Sequence, residues 1–220
     1  MKVTTRKAFH EELEDLKKTV ENMTQIVLEV VRASVRSLIN QDTELALKTI
    51  EKGEEVDLLE FNIENKCMEL LALYQPVAVD LRTIVTIVKI IVDLDRLADF
   101  SADVCQVTLF THHLQKVREI DKIGIMYGKV DTIVRLALKA FIENDPELAK
   151  TLGDLDDEVD KLFVKVIEEG IETMKNDPSS IYFTANLILV SKYLERMADH
   201  ACNIAGRTIY MVTGKRKKIH

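Results

Sequence analysis

The chain has 220 residues, 47% of them hydrophobic and 30% charged, with only 7 Gly and 3 Pro, a formal charge of −7 and a pI near 5.4. That length supports one large or two small domains with a substantial core, and the scarcity of Gly and Pro suits long helices joined by few turns. The acidic balance, with bases interspersed among acids, argues against a nucleic-acid-binding surface.

The start, Met1 to Arg6, leads into the charged, helix-patterned stretch 9–18 without the apolar core of a signal peptide. The most apolar stretch, Ile84 to Val92, is interrupted by Thr86 and Lys89 and stops at Asp93, too short to span a bilayer. A cytoplasmic chain is expected, with any membrane contact peripheral. Cys67, Cys105 and Cys202 are isolated, which suggests free core cysteines and no disulfide framework or zinc knuckle.

From Phe9, apolar residues recur at alternating steps of three and four through Leu13, Leu16, Val20, Met23, Val27 and Val30. This predicts a long amphipathic helix to about Ile39. Asp42 is a fitting N-cap for a second helix, which carries Val56, Leu59, Ile63 and Leu70 and ends near Tyr74. Pro76 suits an early position of a third helix running through Leu81, Ile84, Val88, Ile91, Leu94, Ala98 and Cys105 to about His112. The same succession then repeats. A fourth helix carries Ile123, Met126, Val130, Ile133, Ala137 and Ala140; Asp145 and Pro146 open a fifth with an unbroken seam from Leu148 to Val166; a sixth runs from about Ser179 and stops before Gly214.

The repetition extends to single residues. A shift of 103 lays Asp42, Glu44, Leu45, Glu55, Val56, Asp57 and Leu59 on Asp145, Glu147, Leu148, Glu158, Val159, Asp160 and Leu162. A shift of 100 lays Arg96, Ala98, Asp99 and Asp103 on Arg196, Ala198, Asp199 and Asn203. The reading is all-α: six long helices forming two tandem, duplicated three-helix bundles, 1–114 and 115–220. Periodicity does not say whether the bundles pack side by side or end to end. The third helices are the expected meeting ground, because 84–92 is apolar nearly all round.

Each third helix carries an acidic stripe: Asp95, Asp99 and Asp103 in the first repeat, and Glu195, Asp199 and Asn203 in the second. Spacings of four stack these side chains along one face, where like charges repel unless something neutralises them. In an antiparallel hairpin the Asp95 region lies level with 53–57, and Glu195 with 156–160, so Asp57 and Asp160 add acids from the second helices. Oxygen-rich clusters of this kind suit divalent or trivalent cations; the bland alternative is a solvated acidic face with Arg96 and Arg196 as counter-ions. His200 reads either as a second-half ligand or as an ordinary, partly exposed histidine. No histidine follows a Glu at di-iron spacing, and no phosphate loop or nucleophile motif is present. The basic run 215–218 reads either as a solvated tail or as a contact with an anionic membrane or partner.

The segment from Gln75 to Arg82, followed by Asp95-Arg96-Leu97-Ala98-Asp99 and by Leu194-Glu195-Arg196-Met197-Ala198-Asp199-His200-Ala201-Cys202-Asn203, resembles the PhoU family of phosphate-transport regulators. The resemblance implies two three-helix bundles and negative regulation of the phosphate-starvation response. It implies a non-enzymatic adaptor between the ATPase subunit of the phosphate ABC transporter and a membrane sensor histidine kinase, acting as a homodimer. It also implies metal sites, mononuclear or clustered, of iron, zinc, manganese, magnesium or calcium. The ligands would be Asp95, Asp99 and Asp103 in one half and Glu195, Asp199 and Asn203 in the other, with Asp57 and Asp160 added. Within that pattern the first motif opens with Asp where Glu is commoner, and Gly53 stands where the second half has Asp156. The first station is therefore expected to be the weaker.

Overall fold

A computed structural model describes residues 2–117 and 120–219. Its helices are α1 (Lys2–Asn40), α2 (Thr43–Tyr74), α3 (Ala78–Thr111), α4 (Ile120–Glu143), α5 (Pro146–Lys150), α6 (Leu152–Asn176) and α7 (Ile181–Thr213). A 3-10 turn, Pro178–Ser180, precedes α7. α5 and α6 together stand where one fifth helix was expected. The fold is the duplicated pair of three-helix bundles: α1 to α3, then α4 to α7.

The apolar seam of α1 explains its length. Phe9, Leu13, Leu16, Val20, Met23, Val27, Val35 and Leu38 are all buried, so the 39-residue helix is held from Phe9 to Leu38 by packing rather than by propensity. The turns follow the chemistry of their caps. Asp42 accepts a hydrogen bond from the Leu45 amide at 2.9 Å, and Asp145 accepts from the Glu147 and Leu148 amides at 2.9 and 3.0 Å. Gln41 and its repeat counterpart Asn144 both take left-handed backbone conformations, φ 56° and 54°.

Three boundaries differ from the sequence expectation. Pro76 lies outside α3: Gln75 caps α2 in the left-handed region, Val77 is extended, and the helix begins at Ala78. Pro178 begins the 3-10 turn, so α7 starts at Ile181 and not at Ser179. The fifth helix breaks at Thr151, whose amide and hydroxyl both bond the Leu148 carbonyl, at 3.1 and 2.8 Å, tightening the turn.

The bundles pack side by side. α3 lies antiparallel to α7, pairing Arg82 with the Met211 carbonyl, Asp93 with His200, and Phe100 with Tyr193. Ile39 near the end of α1 packs against Gly124 on α4. Most buried hydroxyls in α1, α3 and α7 bond within their own helices, as Ser101 does to the Leu97 carbonyl at 2.7 Å, whereas those of Thr86 and Thr184 have no partner. Cys67, Cys105 and Cys202 are free and buried. Among the described residues no helix is long and apolar enough to cross a membrane. Beyond Gly214 the chain doubles back along α7, and Ile219 packs onto the core.

Candidate functional site

Antiparallel pairing of α2 with α3 brings Asp57 level with Asp95 and Asp99. One carboxylate oxygen from each of the three lies within 4.8 Å of the others. Asp95 is half-buried, and its carboxyl is pushed up to about 7, first by burial and then by Glu60, Asp99 and Asp57. Glu60 is raised as well, mainly by burial and then by Glu64 and Asp57. Arg96 offsets part of this charge by donating to Asp99 at 2.8 Å. Glu60 was not singled out from the sequence, although its spacing of three from Asp57 places both on one helical face. Asp103 lies one turn further along α3, outside the three-carboxylate group; burial and then Asp99 raise its carboxyl.

The second stripe is arranged differently. Glu195 pairs with Lys192 at 2.7 Å and Asp199 with Arg196 at 2.8 Å, so both carboxylates turn toward bases of their own helix. Asp160 and Asn203 are exposed. Among the described residues, the metal-ligating side chains of this half do not form a second group as close as that of Asp57, Asp95 and Asp99. The station expected to be weaker is thus the one whose acids converge.

The sequence contains the physical reason. The counterpart of Lys192 is Val92, which leaves Asp95 without a lysine one turn back. The counterpart of Glu60 is Phe163, and the Lys192 ammonium sits 5.1 Å from the centre of that ring. Asp156 is buried and hydrogen-bonded to the Cys202 thiol, whereas the first half has Gly53 and Ala102 at those places. A Cβ on Gly53 would meet nothing within 4 Å, so the space that Asp156 fills is left open.

His200 is not aligned with the acidic stripe. Its Nδ1 lies 3.0 Å from Asp93 across the α3–α7 interface, and its ring packs on Phe100. Asp93 is 2% exposed and also pairs with Arg207 at 2.6 Å. Periodicity alone concealed this charged group, because Asp93 ends an apolar run on a face that a single helix would present to solvent.

Three hard carboxylates within reach of one point, one of them inclined to hold a proton, form a donor set that a divalent cation would relieve of its repulsion. A family model of the PhoU domain matches the chain twice, over residues 20–108 and 123–208. The phosphate-specific transport system accessory protein PhoU homolog of Clostridium acetobutylicum is 34% identical over 216 residues, covering 96% of this chain and 97% of that protein. PhoU homolog 1 of Thermotoga maritima is 33% identical over 211 residues, covering 96% and 91%. The crystal structure of PhoU from Pseudomonas aeruginosa superposes with a TM-score of 0.91 at 33% identity, over 94% of this chain and 100% of that one. The phosphate transport system regulatory protein PhoU from Streptococcus pneumoniae gives 0.88 at 27%, over 95% and 99%. With both repeats matched and relatives aligned along nearly their whole length, the chain belongs to the PhoU family.

Proposed function

We propose that the chain is a cytoplasmic accessory regulator of a phosphate transport system that holds the phosphate-starvation response off when phosphate is plentiful. The observation that carries this is the pair of PhoU-domain matches, together with relatives named as phosphate-specific transport accessory proteins along nearly the full chain. Its action is that of an adaptor: long helical faces dock on the transporter ATPase subunit and on a membrane sensor histidine kinase, and the chain works as a homodimer without catalysing a reaction. Asp57, Asp95 and Asp99 hold a divalent or trivalent cation, which supplies charge neutralisation and a bridging point for a partner carboxylate or phosphate. Glu195, Asp199, Asn203 and Asp160 form a second station once Lys192 and Arg196 release their partners; Asp103 flanks the first.

Deleting the gene is expected to switch on a phosphate-starvation reporter in phosphate-replete medium. An unchanged reporter sinks the regulatory reading. The convergence of three carboxylates favours a second reading, a metal-buffering bundle without signalling partners. Affinity capture separates them, because the adaptor retains the transporter ATPase or the kinase and the buffer retains neither. Elemental analysis of chelator-free protein beside Asp99→Ala/Asp199→Ala tests the metal: equal content in the two removes the site assignment.

A further inference from the structure

The antiparallel crossing of α3 and α7 carries a cationic groove on one side. Lys89 on α3 and Arg207 on α7 line a cavity of about 300 Å³, which Arg216, Lys217 and Lys218 of the returning C-terminal segment cover. That volume lies at the lower end of the range for small-molecule sites. Among the described residues no Asp or Glu lines it. One repeat away, Leu189 stands for Lys89 and Val107 for Arg207, so the charge belongs to this groove and not to the fold.

The groove is built, not merely charged. Arg207 is fixed by Asp93 at 2.6 Å and by the Lys89 carbonyl. Thr86 lines the cavity at 2% exposure, and its hydroxyl has no hydrogen-bond partner. A buried, unpaired hydroxyl is costly unless a ligand or solvent satisfies it.

The covering segment is seated by backbone contact. A Cβ on Gly206 would stand 2.9 Å from the Lys217 carbonyl oxygen, and one on Gly153 would collide with the Ile219 carbonyl. The repeat counterparts of these glycines are Gln106 and Ile50, so the segment's path exists only on this half. Along that path it adds Arg216, Lys217 and Lys218 to a cavity already lined by Lys89 and Arg207, a gathering of basic residues that a bound anion would offset.

We propose that this pocket binds a small, soluble phosphorylated anion, with residues 215–219 as its cover. Asp93 offsets the charge of Arg207, but Lys89, Arg216, Lys217 and Lys218 add four further basic residues to the lining, more than a monocarboxylate would balance and suited to the multiply charged oxygens of a phosphate group. The test titrates metal-free, full-length protein calorimetrically with inorganic phosphate, pyrophosphate and ATP at low salt. Beside it stand Arg216→Ala/Lys217→Ala/Lys218→Ala, altered beyond the last turn of α7 where the bundle is untouched, and Lys89→Ala. At least one anion is expected to bind wild type, to weaken with salt, and to lose roughly tenfold or more in affinity in each variant. Absence of binding by all three anions, or unchanged affinity in either variant, overturns the proposal. A phosphatidylglycerol vesicle arm separates the sources: retention on vesicles with no soluble anion bound overturns it in favour of a membrane contact. Binding measured on the purified protein is independent of any signalling role, so failure here leaves the reporter experiment standing, and the reverse.

Discussion

Asp95→Asn removes the charge that the first acidic station tolerates least. In the metal-free protein this carboxyl is pushed up from 3.8 to about 7, burial being the largest cause and Glu60 the next. The folded state therefore binds the proton more tightly than the unfolded chain, and stability is lost as pH rises from about 3.8 toward about 7. Three units at roughly 1.4 kcal/mol each amount to about 4 kcal/mol before screening. Asp95 is only half-buried, and solvent screening brings this to about 1–2 kcal/mol. An amide is neutral at every pH. In urea denaturation with chelator present, Asp95→Asn is therefore expected to be more stable than wild type by about 1–2 kcal/mol above pH 7, with the gain declining toward zero as pH falls to about 4. On the proposed metal role, saturating Mn²⁺ is expected to reverse the order, because only wild type keeps the full carboxylate set, and a ligand at about a hundred times its Kd stabilises by about 2.7 kcal/mol. A variant no more stable than wild type at pH 8, or one whose gain is the same at pH 4 and pH 8, refutes the reasoning.

Other perturbations probe the interface and the turns. Asp93→Ala leaves Arg207 and His200 without their carboxylate; because the Arg207 side chain is 30% exposed, the cost in thermal unfolding is about 2–3 kcal/mol, below the range for fully buried pairs. Asp93→Tyr/His200→Phe instead installs the stack that Tyr193 and Phe100 form across the crossing at 6.0 Å, and is expected to recover the packing part of that loss while Arg207 stays without its carboxylate. Gly153→Ala lifts the C-terminal segment off α6, so trypsin should release the basic residues faster while bundle stability stays within about 0.5 kcal/mol of wild type. Asp145→Ala removes two capping bonds and is expected to cost about 1 kcal/mol in denaturant unfolding.

The duplicated bundle was legible because each long helix writes its seam in three-and-four spacing and Asp42 and Asp145 cap the matching turn of each repeat. The break at Thr151 was not, since the apolar positions from Leu148 to Val166 continue in phase across it. The side-by-side packing was only half legible: the all-round apolar stretch 84–92 marked α3 as a shared helix, but the partner register depends on long-range pairs such as Asp93 with His200. In the acidic stripe, spacing placed the carboxylates correctly on one face. Which of them converge was decided by neighbours three residues away, Val92 in one repeat and Lys192 in the other. That local competition is invisible to a comparison of the motifs alone.

The differences between the repeats come in contacting sets, which is why the scaffold absorbs them. Asp156 and Cys202 replace Gly53 and Ala102 as a hydrogen-bonded pair. Tyr193 and Phe100 stack where, across the crossing, Asp93 meets His200. Lys192 rests over Phe163, where the first repeat has Val92 and Glu60. At the buried positions Asp93 and Asp156, substituting one member alone would leave a polar partner unpaired or a void, costing on the order of 1–3 kcal/mol, whereas the paired exchange avoids this. The exchanges also sort by charge. Glu60 adds an acid beside Asp57, Asp95 and Asp99, while Lys89, Arg207 and the returning segment 215–218 gather bases at the groove. The duplicated scaffold thus carries opposite charge in separate places, acids between α2 and α3 and bases at the α3–α7 groove.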